Sequence, residues 1–336
     1  MKHFPLVLLL AFLLVGCAPE NQNSSKPTKS SPTTSAFSKP YFPKFNADTA
    51  YKFIEEQVAF GPRVPNTPQH KEAAKYLEAQ LKRLGAEVTI QNAEVTAYND
   101  DKLEIYNIIG RFLPEQKERI LLFAHWDSRH IADRDPNDAN KETPILGAND
   151  GASGVGVILE VLRSINQDSL KPKVGVDVIF FDAEDYGQPN DIQFGMKENT
   201  WCLGSQYWAK NQPIRDFKPK FGILLDMVGA ADAIFPREGV SLYYAENIVN
   251  KVWSVANRIG HGAYFSGVVV ESGITDDHLY VNQIAKIPSI DIIHYDDRRR
   301  DFGEFHHTLK DDMSIISKST LKVAGEVVLA VIYAEG

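Results

Sequence analysis

The chain has little material for covalent cross-links. Only two of its 336 residues are cysteines, Cys17 and Cys202. Because we expect Cys17 to be modified, as argued below, one thiol remains and no intrachain disulfide can form. Cys202 stands in the segment TWCLGSQYWA, among aromatic and apolar residues. That setting is typical of a buried, inert thiol and argues against a cysteine nucleophile.

Basic clusters of the kind that bind nucleic acid are also absent. The chain has 36 basic and 44 acidic residues, which gives a formal net charge of −8. A polyanion is held mainly by lysine and arginine that neutralise its phosphates. The sequence therefore predicts no nucleic-acid partner.

The apolar run at the N-terminus, residues 5–15, is too short to span a bilayer and is typical of a secretory signal. It leads into Leu14-Val15-Gly16-Cys17, which resembles a bacterial lipobox. We expect residues 1–16 to be a signal peptide and Cys17 to be lipidated. The protein would then be an exported lipoprotein, anchored in one of the two membranes and facing the periplasm. The alternative is a chance cysteine beside an ordinary cleavage site.

Residues 21–39 are rich in Ser, Thr, Pro and Lys. Such a segment buries little apolar surface, so we expect residues 17–40 to be a lipidated, disordered tether. Residues 41–336 are long enough for one catalytic domain with a sizeable core. We expect this domain to be a monomer.

Helical and strand patterns alternate along the domain. Amphipathic stretches predict helices, with Asp48 capping the first, at 48–58, 68–84, 152–165, 245–259 and 315–333. Short runs, several of them fully apolar, predict strands at 87–91, 102–111, 119–124, 174–181, 221–226 and 289–293. This order predicts an α/β fold of three layers, with a central, mainly parallel mixed sheet flanked by helices. The active site should lie beyond the carboxyl ends of its strands.

Potential metal ligands follow several of these apolar runs. They are His125 and Asp127 in AHWDS, Asp150 in GANDGASG, Glu184 and Asp185 in FFDAEDYG, Asp226 in ILLDMVG, and His307 in FHHT. Imidazole and carboxylate groups at strand ends are how an open α/β sheet builds a zinc site. The order of these residues indicates a zinc enzyme.

The adjacent acids of FFDAED favour two different roles, because neighbouring side chains cannot both point the same way. We interpret Asp185 as a ligand and Glu184 as the residue that moves protons beside the metal. A solvated acidic turn is the alternative. Asp150 could instead cap the helix that follows, and His125 and Asp127 could be structural. A buried Asp226 is costly unless a cation or a shared proton offsets its charge.

From Phe45 to Gly336 these motifs resemble the zinc-dependent aminopeptidase-like family, and within it the glutaminyl cyclases. The resemblance implies a reaction that converts N-terminal glutamine of peptides or proteins to pyroglutamate and releases ammonia. It implies zinc on Asp150, Asp185 and His307, with Glu184 as acid and base. It also gives Asp226 and Asp276 catalytic roles in orienting the substrate.

The segment ITDDH resembles the Asp-Asp-His of the cyclases, where related aminopeptidases commonly have Ser-Asp-His. From local chemistry alone, Asp276 and Asp277 could equally mark an exposed helix start. His125 is a ligand in the two-zinc relatives, so His125 and Asp226 are candidates for a second metal. One Zn²⁺ is expected and two are possible. The alternatives are therefore a two-zinc aminopeptidase or a peptide-binding lipoprotein without activity.

Aromatic residues near these motifs could line a small pocket for the glutamine side chain. The candidates are Trp126, Tyr186, Trp201, Phe265 and Phe305, although aromatic residues more often belong to a core. The insert 187–200 has no strong period and could form a lid. We expect residues 295–304, which include three consecutive arginines, to form a solvated loop at the rim.

Overall fold

A six-stranded sheet forms the centre of the computed structural model, which describes residues 40–189, 195 and 197–335. The predicted signal peptide, Cys17 and all but the last residue of the predicted tether lie outside these residues. The six strands, in their order across the sheet, are β1 (Glu87–Thr96), β2 (Lys102–Phe112), β4 (Gly175–Phe181), β3 (Arg119–His125), β5 (Gly222–Asp226) and β8 (Ser289–Ile293). β2 runs antiparallel to both of its neighbours, while β4, β3, β5 and β8 are mutually parallel.

Seven α-helices accompany the sheet among the described residues. They are α1 (Ala47–Val58), α2 (Pro68–Arg83), α3 (Ala152–Gln167), α4 (Leu203–Lys210), α5 (Gly239–Ile259), α6 (Asp277–Tyr280) and α7 (Lys318–Ala334). The sequence predicts five of these but neither α4 nor α6. It also misses a separate parallel pair, β6 (Phe235–Glu238) and β7 (Phe265–Val270). These elements are short, which leaves too few residues for a periodic pattern to emerge.

Three predicted helix starts need correction. Helix α7 begins at Lys318, after the N-cap Ser317, and not at residue 315. Asn46, not Asp48, caps α1, because its side chain accepts hydrogen bonds from the N–H groups of Asp48 and Thr49. Helix α5 begins at Gly239 and not at residue 245. Ala245 has non-helical angles, φ −146° and ψ 41°, which interrupt the helix where the sequence pattern begins.

Alternating side chains of the sheet pack into two apolar layers, one on each face. Ile120, Leu122 and Ala124 of β3 pack into the larger core, which α1, α2, α3, α5 and α7 cover. Leu121 and Phe123 point to the opposite face, where Trp208 of α4 packs. Helices thus lie on both faces of a mainly parallel sheet, which confirms the predicted three-layer α/β fold. No helix of the described residues has the length and apolarity needed to cross a membrane.

The parallel register brings the carboxyl ends of several strands to one edge. His125 at the end of β3 pairs with Phe181 at the end of β4, and Asp226 ends β5 beside Ile293 of β8. The loops that leave these strands therefore start side by side, although they are far apart in the sequence.

Candidate metal centre and active site

Asp150 lies in a tight turn directly before α3. Its backbone N–H donates to the Asp311 carboxylate at 3.1 Å, and the N–H of Asn149 donates to the same carboxylate at 2.7 Å. Gly151 occupies the N-cap of α3, which has no side-chain cap. A Cβ on Gly151 would lie 2.6 Å from the His125 ring, so only glycine lets the turn approach this closely. Asp150 is therefore not the helix cap, and its side chain is available as a ligand.

His125 lies between two carboxylates. Its Nε2 is 2.9 Å from Oδ1 of Asp150 and 3.2 Å from Oδ1 of Asp226, and all three residues are buried. Burial alone would lower the pKa of His125, but Asp127, Asp150 and Asp226 raise it well above its ordinary value. Burial and the nearby acids Asp150 and Asp276 raise the pKa of Asp226 to about 7, against the opposing effect of His125. Negative charge is thus concentrated here.

Glu184 and Asp185 follow β4 on a turn that Asp127 organises. The backbone N–H groups of both acids donate to the Asp127 carboxylate, each at 3.1 Å. Arg129 donates to the backbone oxygen of Asp185 at 3.0 Å and lies 3.4 Å from its Oδ1. The other carboxylate oxygen of Asp185, Oδ2, is buried without a hydrogen-bond partner. An unpartnered buried carboxylate oxygen is costly unless a cation meets it.

His307 reaches the same place from the loop before α7. Its Nε2 is 3.2 Å from Oδ1 of Asp185 and 3.8 Å from Oδ2 of Asp150. Burial, together with the charge of Arg129, lowers the pKa of His307 to about 3, so the ring is neutral and able to bind a metal. The structure therefore brings Asp150, Asp185 and His307 together, as the sequence predicts. His306 lies nearby, with its Nε2 3.9 Å from Oδ2 of Asp150.

Glu184 is buried beside this centre. Burial and the charges of Asp276 and Asp185 raise its pKa well above the ordinary value, although His125 acts in the opposite direction. Ligand-type atoms of Glu184, Cys202 and Asp276 lie within 4.8 Å of one another. Glu184 thus has the environment of a carboxyl group that binds a proton more readily than an exposed glutamate does.

The Asp-Asp-His segment forms the start of the short helix α6. Asp276 is its N-cap and accepts the N–H of Asp277 at 2.5 Å. The Nε2 of His278 contacts Oε1 of Glu238 at 3.0 Å. Asp276, Asp277 and His278 are all buried. The alternative of an exposed helix start is therefore wrong. Asp276, as the N-cap of α6, lies beside Glu184.

A cavity of about 840 Å³ opens above these residues. Its walls include Asp150, Glu184, Asp226, Asp276 and His307. The insert 187–200 and the segment 295–304 also line the cavity. The lining residues are Lys197, Glu198, Asn199 and Thr200 of the insert, the following Trp201, and Tyr295, Arg300 and Phe302 of the second segment. Residues 190–194 and 196 of the insert lie outside the described residues. The described parts of both loops therefore shape the cavity.

Of the predicted pocket aromatics, Trp201 lines the cavity and stacks on His307, with 5.7 Å between ring centroids. The other assignments need correction. Trp126 is fully buried, stacks on His70 and donates its Nε1–H to the backbone oxygen of Tyr106, so it belongs to the core. Phe265 is likewise a core residue.

Tyr186 turns away from the cavity, because its ring stacks on His130 at 3.9 Å and its hydroxyl donates to Asp101. Phe305 packs with Met227 and Ile293, which line the cavity, and so lies behind the wall. The sequence indicates which aromatic residues are near the site but not which way each ring points.

Among the described residues, four groups of three side chains could hold a metal ion, and two of these groups include Asp150. Its carboxylate combines with His306 and His307, or with His125 and Asp226, and in each set the ligand atoms lie within 4.8 Å of one another. Buried carboxylates, imidazoles and the unpartnered Oδ2 of Asp185 together fit a divalent cation with mixed nitrogen and oxygen ligands.

Residues 107–332, more than half of the chain, match peptidase family M28. The chain belongs to this family. A similar solved structure, Bacteroides thetaiotaomicron glutaminyl cyclase bound to N-acetylhistamine, is 49% identical over 88% of this chain and 100% of that chain, with a TM-score of 0.85. A Zn-dependent exopeptidase from Parabacteroides distasonis ATCC 8503 is 51% identical over the same shares, with a TM-score of 0.84. The glutaminyl-peptide cyclotransferase of Dictyostelium discoideum is 25% identical in an alignment of 295 residues that covers 77% of this chain and 77% of that protein.

Several residues that hold the site in place in this M28 chain were not predicted from the sequence. Asp311 holds the Asp150 turn, Arg129 holds Asp185, and Asn149 accepts hydrogen bonds from the N–H groups of Gly229 and Ala230. Each is a polar residue in a loop, and although Asn149 stands inside GANDGASG and Arg129 directly follows AHWDS, no sequence pattern indicates which groups they contact. The sequence did indicate Asp127 as a potential metal ligand, because it stands near His125 at the end of a strand. In the structure its carboxylate holds the turn of Glu184 and Asp185.

Proposed function

We propose that this M28 protein is a glutaminyl-peptide cyclotransferase, which converts the N-terminal glutamine of peptides or proteins to pyroglutamate and releases ammonia. One observation carries the proposal: the buried acids Glu184 and Asp276 lie within 4.8 Å of each other in the wall of one cavity that also contains Asp150 and His307. The similarity to a bacterial glutaminyl cyclase, which covers 88% of this chain, supports the same assignment.

Zinc is the proposed metal, and Asp150, Asp185 and His307 would hold it. When bound, it would polarise the γ-carbonyl of the glutamine and stabilise negative charge on that oxygen. The Zn-dependent exopeptidase among the similar structures supports this choice of ion. The donor set agrees with it, because buried carboxylate and imidazole groups are typical zinc ligands.

The protein's own residues account for the proton transfers. The α-amine nitrogen bonds to the γ-carbonyl carbon of the same residue while Glu184 accepts a proton from the amine. The bond between that carbon and the amide nitrogen then breaks while Glu184 returns the proton to the nitrogen, which leaves as ammonia. A five-membered lactam remains and no water is consumed. Asp276 would accept a hydrogen bond from the γ-amide, and Asp226 would help to orient the substrate.

A two-zinc aminopeptidase is the second candidate, because His125, Asp150 and Asp226 could hold another ion. Glu184 would then activate water and not an amine. Nε2 of His125 lies within hydrogen-bond distance of both Asp150 and Asp226, which is the same kind of contact that joins His307 to Asp185. The zinc count therefore decides between one ion and two.

The deciding experiment compares two dipeptides on protein expressed from Ser38 onward, with its zinc counted. Ammonia release from a Gln-initiated dipeptide, with no free amino acid from a Leu-initiated one and about one zinc per chain, would support the cyclase. Free leucine with about two zinc ions per chain would make the protein an aminopeptidase. The variant Glu184→Gln serves as the control in both assays.

We also propose that the protein is an exported lipoprotein that acts at a membrane surface facing the periplasm as a monomer. The apolar segment 5–15 and Cys17 support this location. Labelled palmitate should be incorporated into the full chain and lost in Cys17→Ala. Retention of the label in that variant would contradict the proposal.

A further inference from the structure

The thiol of Cys202 contacts Glu184 directly. Its Sγ lies 3.0 Å from Oε1 of Glu184, with the S–H group donating to the carboxylate oxygen. The backbone N–H of Cys202 also donates to the backbone oxygen of Glu184, at 2.9 Å. Cys202 has a left-handed backbone, φ 57° and ψ 38°, directly before α4. This conformation is uncommon outside glycine. It occurs here at a residue whose thiol and backbone N–H both donate to Glu184.

The contact makes the two carboxylate oxygens of Glu184 different from each other. Oε1 is held by the thiol, whereas no described residue donates a hydrogen bond to Oε2. Glu184 also lines the cavity, and its backbone N–H is held by Asp127. Its backbone is thus fixed at both ends and its side chain at one oxygen. The second oxygen is left for a substrate proton.

The environment of the Cys202 thiol keeps it protonated and able to donate a hydrogen bond. Cys202 is fully buried, and burial together with the negative charges of Glu184, Asp277 and Asp276 raises the pKa of its thiol well above the ordinary value. The group therefore keeps its proton and does not act as a nucleophile. The opposite end of the residue is also secured, because the hydroxyl of Ser205 donates to its backbone oxygen at 3.1 Å.

We propose that Cys202 is a positioning residue for catalysis, whose S–H group holds Oε1 of Glu184 so that Oε2 faces the substrate amine. This inference rests on the proposed cyclotransferase function. A side chain that only filled space beside Glu184 would not need a donor. Removal of the donor should therefore affect turnover in a way that removal of volume does not.

The kinetic test uses Cys202→Ala, which lacks the donor, and Cys202→Ser, which keeps one. In zinc-loaded protein from Ser38 onward, we expect kcat for a Gln-initiated peptide to fall about tenfold in the alanine variant and less than about threefold in the serine variant. KM should change less than about twofold in both. Ser164→Ala is the control, since it removes a buried hydroxyl donor that contacts Glu160 of α3 and not Glu184, and it should keep wild-type kcat.

Two kinetic results would overturn the proposal: a wild-type kcat in Cys202→Ala, or equal losses in the alanine and serine variants. A second measurement does not depend on turnover. Cys202 is the one cysteine of the sequence after residue 38, so the infrared S–H stretching band of this protein belongs to it alone. We expect a band shifted to low frequency by the carboxylate and moved towards the free-thiol position in Glu184→Gln. A free-thiol band in the wild type would refute the contact, even if Gln-initiated peptides were not substrates.

Discussion

The indole ring of Trp201 lies parallel to the imidazole ring of His307, with 9° between the planes and 5.7 Å between the centroids. The guanidinium carbon of Arg129 lies 4.7 Å from the centre of the same indole. Gly187 makes room for the ring, because a Cβ at this position would lie 1.9 Å from Cδ2 of Trp201. Trp201 is therefore held as a wall of the cavity by contacts with three residues.

Gly187→Ala should displace Trp201 from this wall. Because the substrate side chain loses apolar contact, we expect KM to rise roughly five- to tenfold with a smaller change in kcat. Steady-state ammonia release measures both constants. Gly267→Ala is a suitable control, since a Cβ at Gly267 meets nothing within 4 Å. An unchanged KM in Gly187→Ala would show that Trp201 does not contact the substrate.

Glu184→Gln should remove turnover without removing the metal. Glutamine cannot accept and return the proton, so we expect kcat to fall at least about a hundredfold. Asp185 is the proposed ligand, and the zinc content should therefore equal that of the wild type. Ammonia release and atomic absorption on the same sample test both statements. Loss of zinc in this variant would mean that Glu184 is the ligand and Asp185 the proton carrier.

Asp127→Asn should weaken metal binding from a distance. The Asp127 carboxylate accepts the N–H groups of both Glu184 and Asp185, and an amide side chain can satisfy only one of them through its oxygen. Loss of such an orienting partner typically lowers metal affinity about 10- to 100-fold. Competition with a chromophoric chelator measures the affinity. Asp138→Asn, at an exposed acid paired with Lys141, should leave it unchanged.

Chelation and replacement of the metal should separate the one-ion and two-ion alternatives. Dialysis against a chelator should abolish ammonia release, and about one equivalent of Zn²⁺ should restore it fully. His125→Ala should still bind about one ion, because the proposed ligands are Asp150, Asp185 and His307. Recovery that requires about two equivalents, with one site lost in His125→Ala, would place His125 in the metal shell.

Glu238 should make the protein less stable in acid. Burial alone would raise the pKa of Glu238, but His278 and Ser241 lower it from 4.5 to about 2. The folded protein thus binds fewer protons than the unfolded chain, so the stabilisation is complete above pH 4.5 and is lost as the pH falls towards 2. The shift corresponds to about 3 kcal/mol at neutral pH. Chemical unfolding of the wild type and Glu238→Gln from pH 7 downward should show a gap of this order that closes in acid. A gap that does not depend on pH would contradict it.

The sequence predicts the fold, and it indicates which polar residues meet at one edge of the sheet, because both follow from local patterns. β3, β4, β5 and β8 are short apolar runs that end in a polar residue or a turn, and parallel packing places their ends together. The FFDAED and GANDGASG segments then supply Glu184, Asp185 and Asp150 to one edge. No knowledge of long-range contacts is needed for this step.

Side-chain direction and the supporting contacts could not be predicted in the same way. Trp126 follows β3 as directly as Asp127 does, yet it points into the core, where it stacks on His70. Cys202 is buried, as its neighbours indicate, but its contact with Glu184 joins loops whose packing no sequence pattern specifies. Such contacts depend on the final arrangement of distant segments and not on the period of any one segment.

The proposed metal ligands extend from Asp150 to His307, in loops that follow β3, β4 and β8. A chain whose synthesis or refolding has stopped before the loop after β8 therefore has the carboxylates but lacks the closing imidazole. Tight binding of zinc by these ligands would therefore require the assembled sheet and would follow its formation during folding. Zinc release under mild denaturant should accordingly coincide with loss of the whole fold and not precede it.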